Sequence, residues 1–152
     1  MSDLLKVIYD GVINGEQKTV TEGVQAALNA KVDPSTILNQ GMIAAMSEVG
    51  RLFECGEYYV PEMLIAARAM KAGLGLLRPK LAAANVQAVG KVVIGTVQGD
   101  LHDIGKNLVA MMLEGAGFEV HDLGINTDAE KFIAALELHK PDILGMSALL
   151  TT

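Results

Sequence analysis

The chain has 152 residues, and its 18 acidic side chains outnumber its 12 lysines and arginines, which gives a formal net charge of −6 at pH 7. This balance argues against a nucleic-acid partner, because phosphate binding requires clustered Lys and Arg side chains. A single cysteine, Cys55, excludes a disulfide framework and is typical of a reducing compartment. No apolar run reaches the roughly 18 residues of a membrane span, and the start MSDLLKVIYDG lacks the basic region of a signal peptide. We therefore expect a cytoplasmic protein without a membrane partner.

The first 85 residues predict helices only. Apolar side chains recur every four residues along two short stretches, at Leu4, Ile8 and Val12 and at Val20, Val24 and Leu28. Asp33 and Pro34 predict the N-cap and the first position of a third helix. Pro61 opens a fourth helix, which Pro79 is expected to kink or end. Four helices with short connections predict an antiparallel bundle.

A segment of small, uncharged residues, 82–90, predicts a linker, and the sequence pattern changes after it. Three apolar or β-branched runs predict strands at 91–97, 118–124 and 142–147, with an amphipathic helix in each interval. Thr127 and Glu130 form the pattern of a capping box at the second of these helices. Alternating strands and helices predict right-handed crossovers and a parallel sheet.

The predicted fold is therefore α/β, with a helical bundle over residues 1–85 and a Rossmann-like, flavodoxin-like sheet domain over residues 90–152. In such sheets, ligands bind beyond the carboxyl ends of the strands, where the strand order reverses. That point lies between the first and third strands, whose ends carry residues 98–103 and 147–149. We expect the polar groups of these two loops to converge.

Three polar residues stand in these loops: Asp100, His102 and Ser147. An imidazole coordinates a transition metal through one nitrogen when a carboxylate holds the other, and Asp100 is placed to do so. Ser147 is expected to bond to Asp100 and complete a proton relay. The alternative is a loop whose acids only cap the following helix, with Asp103 at the N-cap.

Two families share parts of this sequence. The run His102-Asp103-Ile104-Gly105 resembles the HDIG motif of metal-dependent phosphohydrolases, which are all-helical and carry a further metal-binding histidine upstream. The other histidines here, His121 and His139, both lie downstream. This resemblance is the weaker one.

The chain resembles cobalamin-binding domains more closely, because their signature D-x-H-x-x-G followed by S-x-L matches in both parts. It is met by Asp100, His102 and Gly105, then by Ser147 and Leu149 after the intervening residues 106–146. Residues 41–70 are similar to the helical cap of corrinoid proteins from methyltransferase systems, which are related to the cobalamin-binding region of methionine synthase. The resemblance covers essentially the whole chain.

The resemblance implies a cobalamin or related corrinoid cofactor, with His102 as the lower axial ligand of cobalt. Asp100 and Ser147 match the proton relay behind that ligand. The further positions that the resemblance assigns to the cofactor in the sheet domain are Gly99, Asp103, Ile104, Gly105, Leu149 and Thr151. In the bundle it assigns Phe53, Tyr58, Val60 and Met63 to the upper face of the cofactor, for which packing in the bundle core is the alternative.

The implied function is that of a methyl-carrying subunit rather than a complete enzyme. Its partners would be a substrate-specific methyltransferase, an acceptor methyltransferase and a reductive activator. A cobalamin-dependent sensor without methyl transfer is the alternative, since it would use the same motif. The resemblance also implies strands and a glycine pair beyond Leu149, so the chain is expected to be a truncated form in which the third strand leaves an apolar edge.

Overall fold

A computed structural model describes residues 2–149, and the chain forms two compact units that divide in sequence between Gln87 and Ala88. The first unit is helical, and the second contains a three-stranded parallel sheet with two helices. The predicted fold class, a helical part followed by a Rossmann-like α/β part, is confirmed. In residues 2–149 no helix is both long and apolar enough to cross a bilayer.

The helical unit follows the predicted order of helices. Its elements are α1 (Asp3–Ile13), α2 (Gln17–Asn29), α3 (Pro34–Thr36), a π-helix (Ile37–Ile43), α4 (Ala44–Glu54) and α5 (Val60–Ala83). The apolar stripes point inward and form a buried core that includes Ile8, Val12, Val20, Val24, Met42, Val49, Met70 and Leu77. This burial is the main force that holds short helices of this length together.

The third predicted helix begins as expected, because the Asp33 carboxylate accepts a 2.9 Å hydrogen bond from the Thr36 amide. It then widens into the π-helix, which the sequence pattern does not predict. Gly41 lies in this segment and faces α1: a Cβ at Gly41 would lie 3.3 Å from the Ile8 side chain. The close approach of α1 therefore leaves little room for a side chain at position 41.

Pro79 does not end the fourth predicted helix, since α5 continues to Ala83. A proline inside a helix removes one backbone hydrogen bond, but the neighbouring turns still bury Leu77 and Leu81. That burial offsets the lost bond. The predicted linker 82–90 accordingly has its first two residues in helix.

The α/β unit contains β1 (Lys91–Thr96), α6 (Ile104–Gly115), β2 (Glu119–Asp122), α7 (Ala129–His139) and β3 (Ile143–Ser147). The strand order is β2-β1-β3, all parallel, with Ile94 paired to both Asp122 and Gly145. Val92 and Ile94 pack with Ala110 of α6 on one face. On the other face, Gly95 lies under the ring of Phe132 from α7.

The start of α7 differs from the predicted capping box. Asp128 is the N-cap, and its carboxylate accepts a 2.8 Å hydrogen bond from the Lys131 amide. Thr127 is instead buried, and its amide donates to the Thr96 carbonyl at 2.9 Å. Thr127 therefore extends the pairing beside β1, and the cap lies one residue later.

Strand β3 leaves an apolar edge, as predicted. Ile143, Leu144 and Met146 are all exposed. Within residues 2–149, β3 pairs with β1 alone.

Candidate functional site

The loop after β1 folds into a tight turn at the carboxyl end of the sheet. The Asp100 amide donates to the Val97 carbonyl at 3.1 Å, and Gly99 adopts a left-handed backbone with φ of 85°. Only glycine takes this conformation without cost. Buried Thr96 donates its hydroxyl hydrogen to the His102 carbonyl at 2.9 Å, which holds the far end of the loop.

Asp100 is the centre of the site. Its carboxylate is 1% exposed and accepts three hydrogen bonds. Oδ1 accepts from the His102 amide at 2.9 Å and from His102 Nδ1 at 2.5 Å. Oδ2 accepts from the Leu149 amide at 2.6 Å. The loops after β1 and β3 therefore converge on one buried carboxylate, at the switch point that the topology predicted.

These hydrogen bonds lower the pKa of Asp100 from 3.8 to about 2. The backbone amide of His102 contributes most, followed by that of Leu149, while burial acts in the opposite direction and the His102 imidazole adds a smaller lowering. Asp100 is therefore ionised at neutral pH. An ionised carboxylate only accepts hydrogen bonds, so the proton of this pair belongs to His102 Nδ1.

The tautomer leaves Nε2 of His102 with a free lone pair whenever the ring is neutral. The imidazole side chain is 61% exposed, and in the described part of the chain Nε2 makes no hydrogen bond. A ring held at one nitrogen by a carboxylate and open at the other is the usual arrangement of a metal-binding histidine.

The surroundings of His102 are apolar and open. Leu101, Ile104 and Leu149 expose their side chains, with Ile104 at 86%. Next to Ile104, a Cβ at Gly105 would meet no atom within 4 Å. Exposed apolar groups beside a polar anchor are typical of a binding surface for a large apolar ligand.

The donor set limits the kind of metal that fits here. Across residues 2–149 there is no group of three or more His, Cys, Asp or Glu side chains able to hold a metal ion. A bare ion needs several protein ligands, whereas a metal inside a macrocycle needs only an axial one. His102 and its apolar surroundings therefore fit a metal macrocycle. They do not fit the phosphohydrolase alternative, which requires an all-helical fold, because His102 follows a parallel strand.

The predicted hydrogen bond between Ser147 and Asp100 is not formed. Ser147 is half-buried at the end of β3, and its carbonyl accepts from the Val97 amide at 3.0 Å. Within residues 2–149 its hydroxyl has no partner. The amide of Leu149 occupies the remaining side of the Asp100 carboxylate, so the contact between the loops is made by backbone.

Asp103 stands at the N-cap of α6 but does not cap it through its side chain. Its carboxylate accepts instead from Asn107 Nδ2 at 3.1 Å. The other two histidines, His121 and His139, stack on each other with ring centroids 3.7 Å apart. Thr151 lies outside the described residues.

The four candidate positions in the helical unit differ in exposure. Phe53 and Val60 expose their side chains, whereas Met63 is buried in the core of this unit. The Tyr58 hydroxyl donates to the Ile13 carbonyl at 3.1 Å, which ties the loop before α5 to the end of α1. The burial of Met63 agrees with the alternative of core packing, and its contact with a cofactor stays a prediction.

Two residues that stabilise the site, Lys106 and Asn126, do not belong to any of the sequence motifs. Lys106 is buried, and its Nζ contacts Asp122 Oδ2 at 2.5 Å and Asn107 Oδ1 at 2.7 Å. Its spacing of four residues from buried Ala110 was a signal that it lies on the inner face of α6. Asn126 bonds to the backbone of the turn at Gly99 and Asp100. No pattern in the sequence marks it.

The structure describes an α/β domain in which a buried carboxylate holds one nitrogen of an exposed histidine, joined in sequence to a helical unit. Two family models match the chain, both described as B12 binding domains, over residues 4–78 and 90–152. The chain belongs to the family of corrinoid proteins with B12-binding domains, and it binds cobalamin or a related corrinoid.

Individual relatives agree with this assignment. The chain is 43% identical over 149 residues to dimethylamine corrinoid protein 3 of Methanosarcina acetivorans, covering 98% of this chain and 70% of the relative. It is 42% identical to trimethylamine corrinoid protein 2 of the same organism, covering 99% of this chain and 70% of the relative.

Among solved structures, a chain of the methanol:cobalamin methyltransferase complex MtaBC from Methanosarcina barkeri matches with a TM-score of 0.91 and 35% identity. The match covers 99% of this chain but only 58% of that chain. A cobalamin-binding protein from Desulfitobacterium hafniense matches with a TM-score of 0.74 and 30% identity, covering 99% of this chain and 71% of that chain.

Proposed function

We propose that the protein carries a methyl group on a corrinoid between two methyltransferases. One partner is a substrate-specific methyltransferase, the second passes the group to an acceptor such as a pterin or a thiol, and a reductive activator restores the carrier. The relatives named for dimethylamine and trimethylamine, and the methanol:cobalamin complex, support this class of partner. The single cysteine supports a reducing, cytoplasmic location.

The observation that carries the proposal is the Asp100–His102 pair. Its 2.5 Å hydrogen bond keeps the proton on Nδ1, so Nε2 of His102 would be the atom that ligates the cobalt of a bound corrinoid. When bound, the corrinoid supplies the cobalt that accepts and releases the methyl group, and that chemistry belongs to the cofactor. The task of this chain is to hold, orient and shield it.

Asp100 also links metal ligation to protons. A proton on Nε2 would remove the lone pair that binds the metal, so proton uptake by the pair competes with ligation. We assign the relay to Asp100 and keep Ser147 as a second member, since its hydroxyl stands at the end of the neighbouring strand.

The remaining candidates are proposed as contacts. Gly99, Ile104, Gly105 and Leu149 leave apolar or open surface around His102, which suits the corrinoid and its nucleotide tail. Asp103 braces the same loop through Asn107. In the helical unit, exposed Phe53 and Val60 are proposed to contact the upper face of the corrinoid, with Tyr58 holding the loop between α4 and α5.

The test is the visible absorption spectrum of the chain reconstituted with hydroxocobalamin, compared with that of His102→Ala. We expect the wild type to bind the cofactor and to show a histidine-ligated spectrum that the variant loses. His139→Ala is the matched control, because it removes an imidazole of the same unit outside the motif. Identical spectra for wild type and His102→Ala would contradict the axial role.

Methyl transfer separates a carrier from a sensor. The reduced, cobalamin-loaded protein is mixed with a purified methylamine or methanol methyltransferase and its isotopically labelled substrate. A carrier accumulates the label on its cofactor. A protein that binds cobalamin but accepts no label from any of these enzymes would be a sensor or binding module instead.

A further inference from the structure

The turn that carries Asp100 has a second support, which comes from the loop after β2. The Thr96 amide donates to the Gly124 carbonyl at 2.8 Å, and the Thr127 amide donates back to the Thr96 carbonyl at 2.9 Å. Val97 and Thr127 also pair as an isolated parallel bridge. The loop between β2 and α7 therefore runs beside the end of β1 and places residue 126 next to the turn.

Asn126 bonds to this turn at two points. Its side-chain Oδ1 accepts from the Gly99 amide at 2.8 Å, and its own amide donates to the Asp100 carbonyl at 3.0 Å. Asn126 adopts a left-handed backbone with φ of 50°, which Asn tolerates better than most residues. These two bonds fix the peptide groups before Gly99 and after Asp100.

The turn needs such a support because Gly99 has no side chain to restrain it. A Cβ at Gly99 would meet no atom within 4 Å, so packing does not hold this residue. The backbone conformation at Gly99 and Asp100 determines where the Asp100 carboxylate points. Because that carboxylate bonds to His102 Nδ1, it also determines the orientation of the His102 ring. Groups that orient a metal-binding histidine from behind typically change metal affinity by roughly 10- to 100-fold when removed.

We propose that Asn126 is a positioning residue, whose two hydrogen bonds to the turn at Gly99 and Asp100 orient the His102 imidazole toward its metal. The identity of that metal rests on the function proposed above. The support of the turn does not, because the hydrogen bonds form within the chain itself.

Two variants separate the side chain from the backbone. Asn126→Gly removes Oδ1 but keeps the left-handed conformation, and Asn126→Asp keeps an oxygen acceptor at the same place. Asn85→Gly is the matched control, since Asn85 is also left-handed, with φ of 54°, and lies in the helical unit.

The first measurement is amide hydrogen exchange at Gly99 in the full cofactor-free chain. Loss of one hydrogen bond corresponds to roughly 2- to 10-fold faster exchange in Asn126→Gly. Asn126→Asp and Asn85→Gly are expected to match the wild type. Unchanged exchange at Gly99 in Asn126→Gly would overturn the proposal.

The second measurement is the affinity for hydroxocobalamin and the histidine-ligated fraction in the visible spectrum. We expect Asn126→Gly to lower affinity by roughly 10-fold and to reduce that fraction, with rescue by Asn126→Asp. Affinity and spectrum equal to wild type in Asn126→Gly would overturn the positioning role. If the wild type itself binds no cobalamin, the proposed function fails, whereas the exchange at Gly99 still decides whether Asn126 holds the turn.

Discussion

The backbone amide of Leu149 donates a 2.6 Å hydrogen bond to the buried carboxylate of Asp100, across 49 residues of sequence. Because β1 and β3 are parallel neighbours, their carboxyl ends lie side by side, and the loop after β3 reaches the loop of His102. The bond comes from a main-chain group. Side-chain identity at residue 149 therefore matters less to Asp100 than the presence of an amide hydrogen there.

Leu149→Pro tests this relationship, because proline removes the amide hydrogen. We expect the pKa of Asp100 to rise, since the second-largest cause of its lowering is lost. The measurement is the carboxyl carbon chemical shift of Asp100 as a function of pH, followed by NMR. Leu149→Ala is the control that keeps the donor, and it should titrate like the wild type. An Asp100 pKa that is equal in Leu149→Pro and Leu149→Ala would contradict the role of this amide.

Asp100 also makes stability depend on pH in the acid range. Its pKa is lowered in the folded state from 3.8 to about 2, so the unfolded chain binds more protons between these values. Its contribution to the free energy of unfolding is complete above about pH 4 and falls as the pH decreases toward about 2. Asp100→Asn cannot titrate, so the stability difference between wild type and variant should shrink across this window.

Urea denaturation at a series of pH values measures that difference. Asp3→Asn is the control, because Asp3 is exposed and lies in the helical unit. A difference for Asp100→Asn that stays constant from pH 5 to pH 2 would show that Asp100 is not stabilised as the ionised form.

Much of the α/β unit could be predicted because its signals are local and strong. The β-branched run that begins at Val92 has the composition of a buried central strand, and the alternation of strands and helices fixes a parallel order. The convergence of the loops at Asp100 and Leu149 followed from that order. The position of the N-cap of α7 was predicted wrongly by one residue. Thr127 and Asp128 are both good N-cap residues, and only the pairing of Thr127 with β1 decides between them.

The sequence also did not predict which group of the loop after β3 donates to the Asp100 carboxylate. The prediction was the Ser147 hydroxyl, and the structure shows the Leu149 amide. A sequence shows which side chains stand near the end of a strand, but the path of the backbone decides which donor reaches a carboxylate. Asn126 could not be predicted either. Its hydrogen bonds depend on a left-handed backbone at this residue, and nothing in the neighbouring sequence predicts that conformation. Pro79 does not end α5, because the burial of Leu77 and Leu81 outweighs a local helix-breaking tendency.

We expect the loss of Asp122 to destabilise the protein more than the loss of its ion-pair partner Lys106. The Lys106 side chain is 2% exposed and that of Asp122 is 37% exposed. Asp122→Asn leaves a buried ammonium without its carboxylate, and we expect a loss of about 2–4 kcal/mol in the free energy of unfolding. Lys106→Met leaves a carboxylate that water reaches and keeps an apolar chain in the site, so the loss should be about 1–2 kcal/mol.

Urea denaturation at neutral pH compares the two variants. Lys131→Met serves as the control, because Lys131 is exposed and its contact with Asp128 is a long 3.5 Å pair on the surface. A smaller loss for Asp122→Asn than for Lys106→Met would mean that the buried ammonium has another source of stabilisation.

Gly95 is expected to be intolerant of any side chain, because α7 packs directly on it. A Cβ there would lie 3.0 Å from two ring atoms of Phe132 and 3.2 Å from Leu123 Cβ. Gly95→Ala should cost about 1–3 kcal/mol by overpacking, and adding Phe132→Leu should recover part of that loss. The contrasting variant is Gly75→Ala in α5, where a Cβ meets no atom within 4 Å and a gain of about 0.5–1 kcal/mol is expected. Thermal and urea unfolding of the three variants measure these values. If Gly95→Ala is as stable as the wild type, the contact between α7 and β1 is looser than the structure places it.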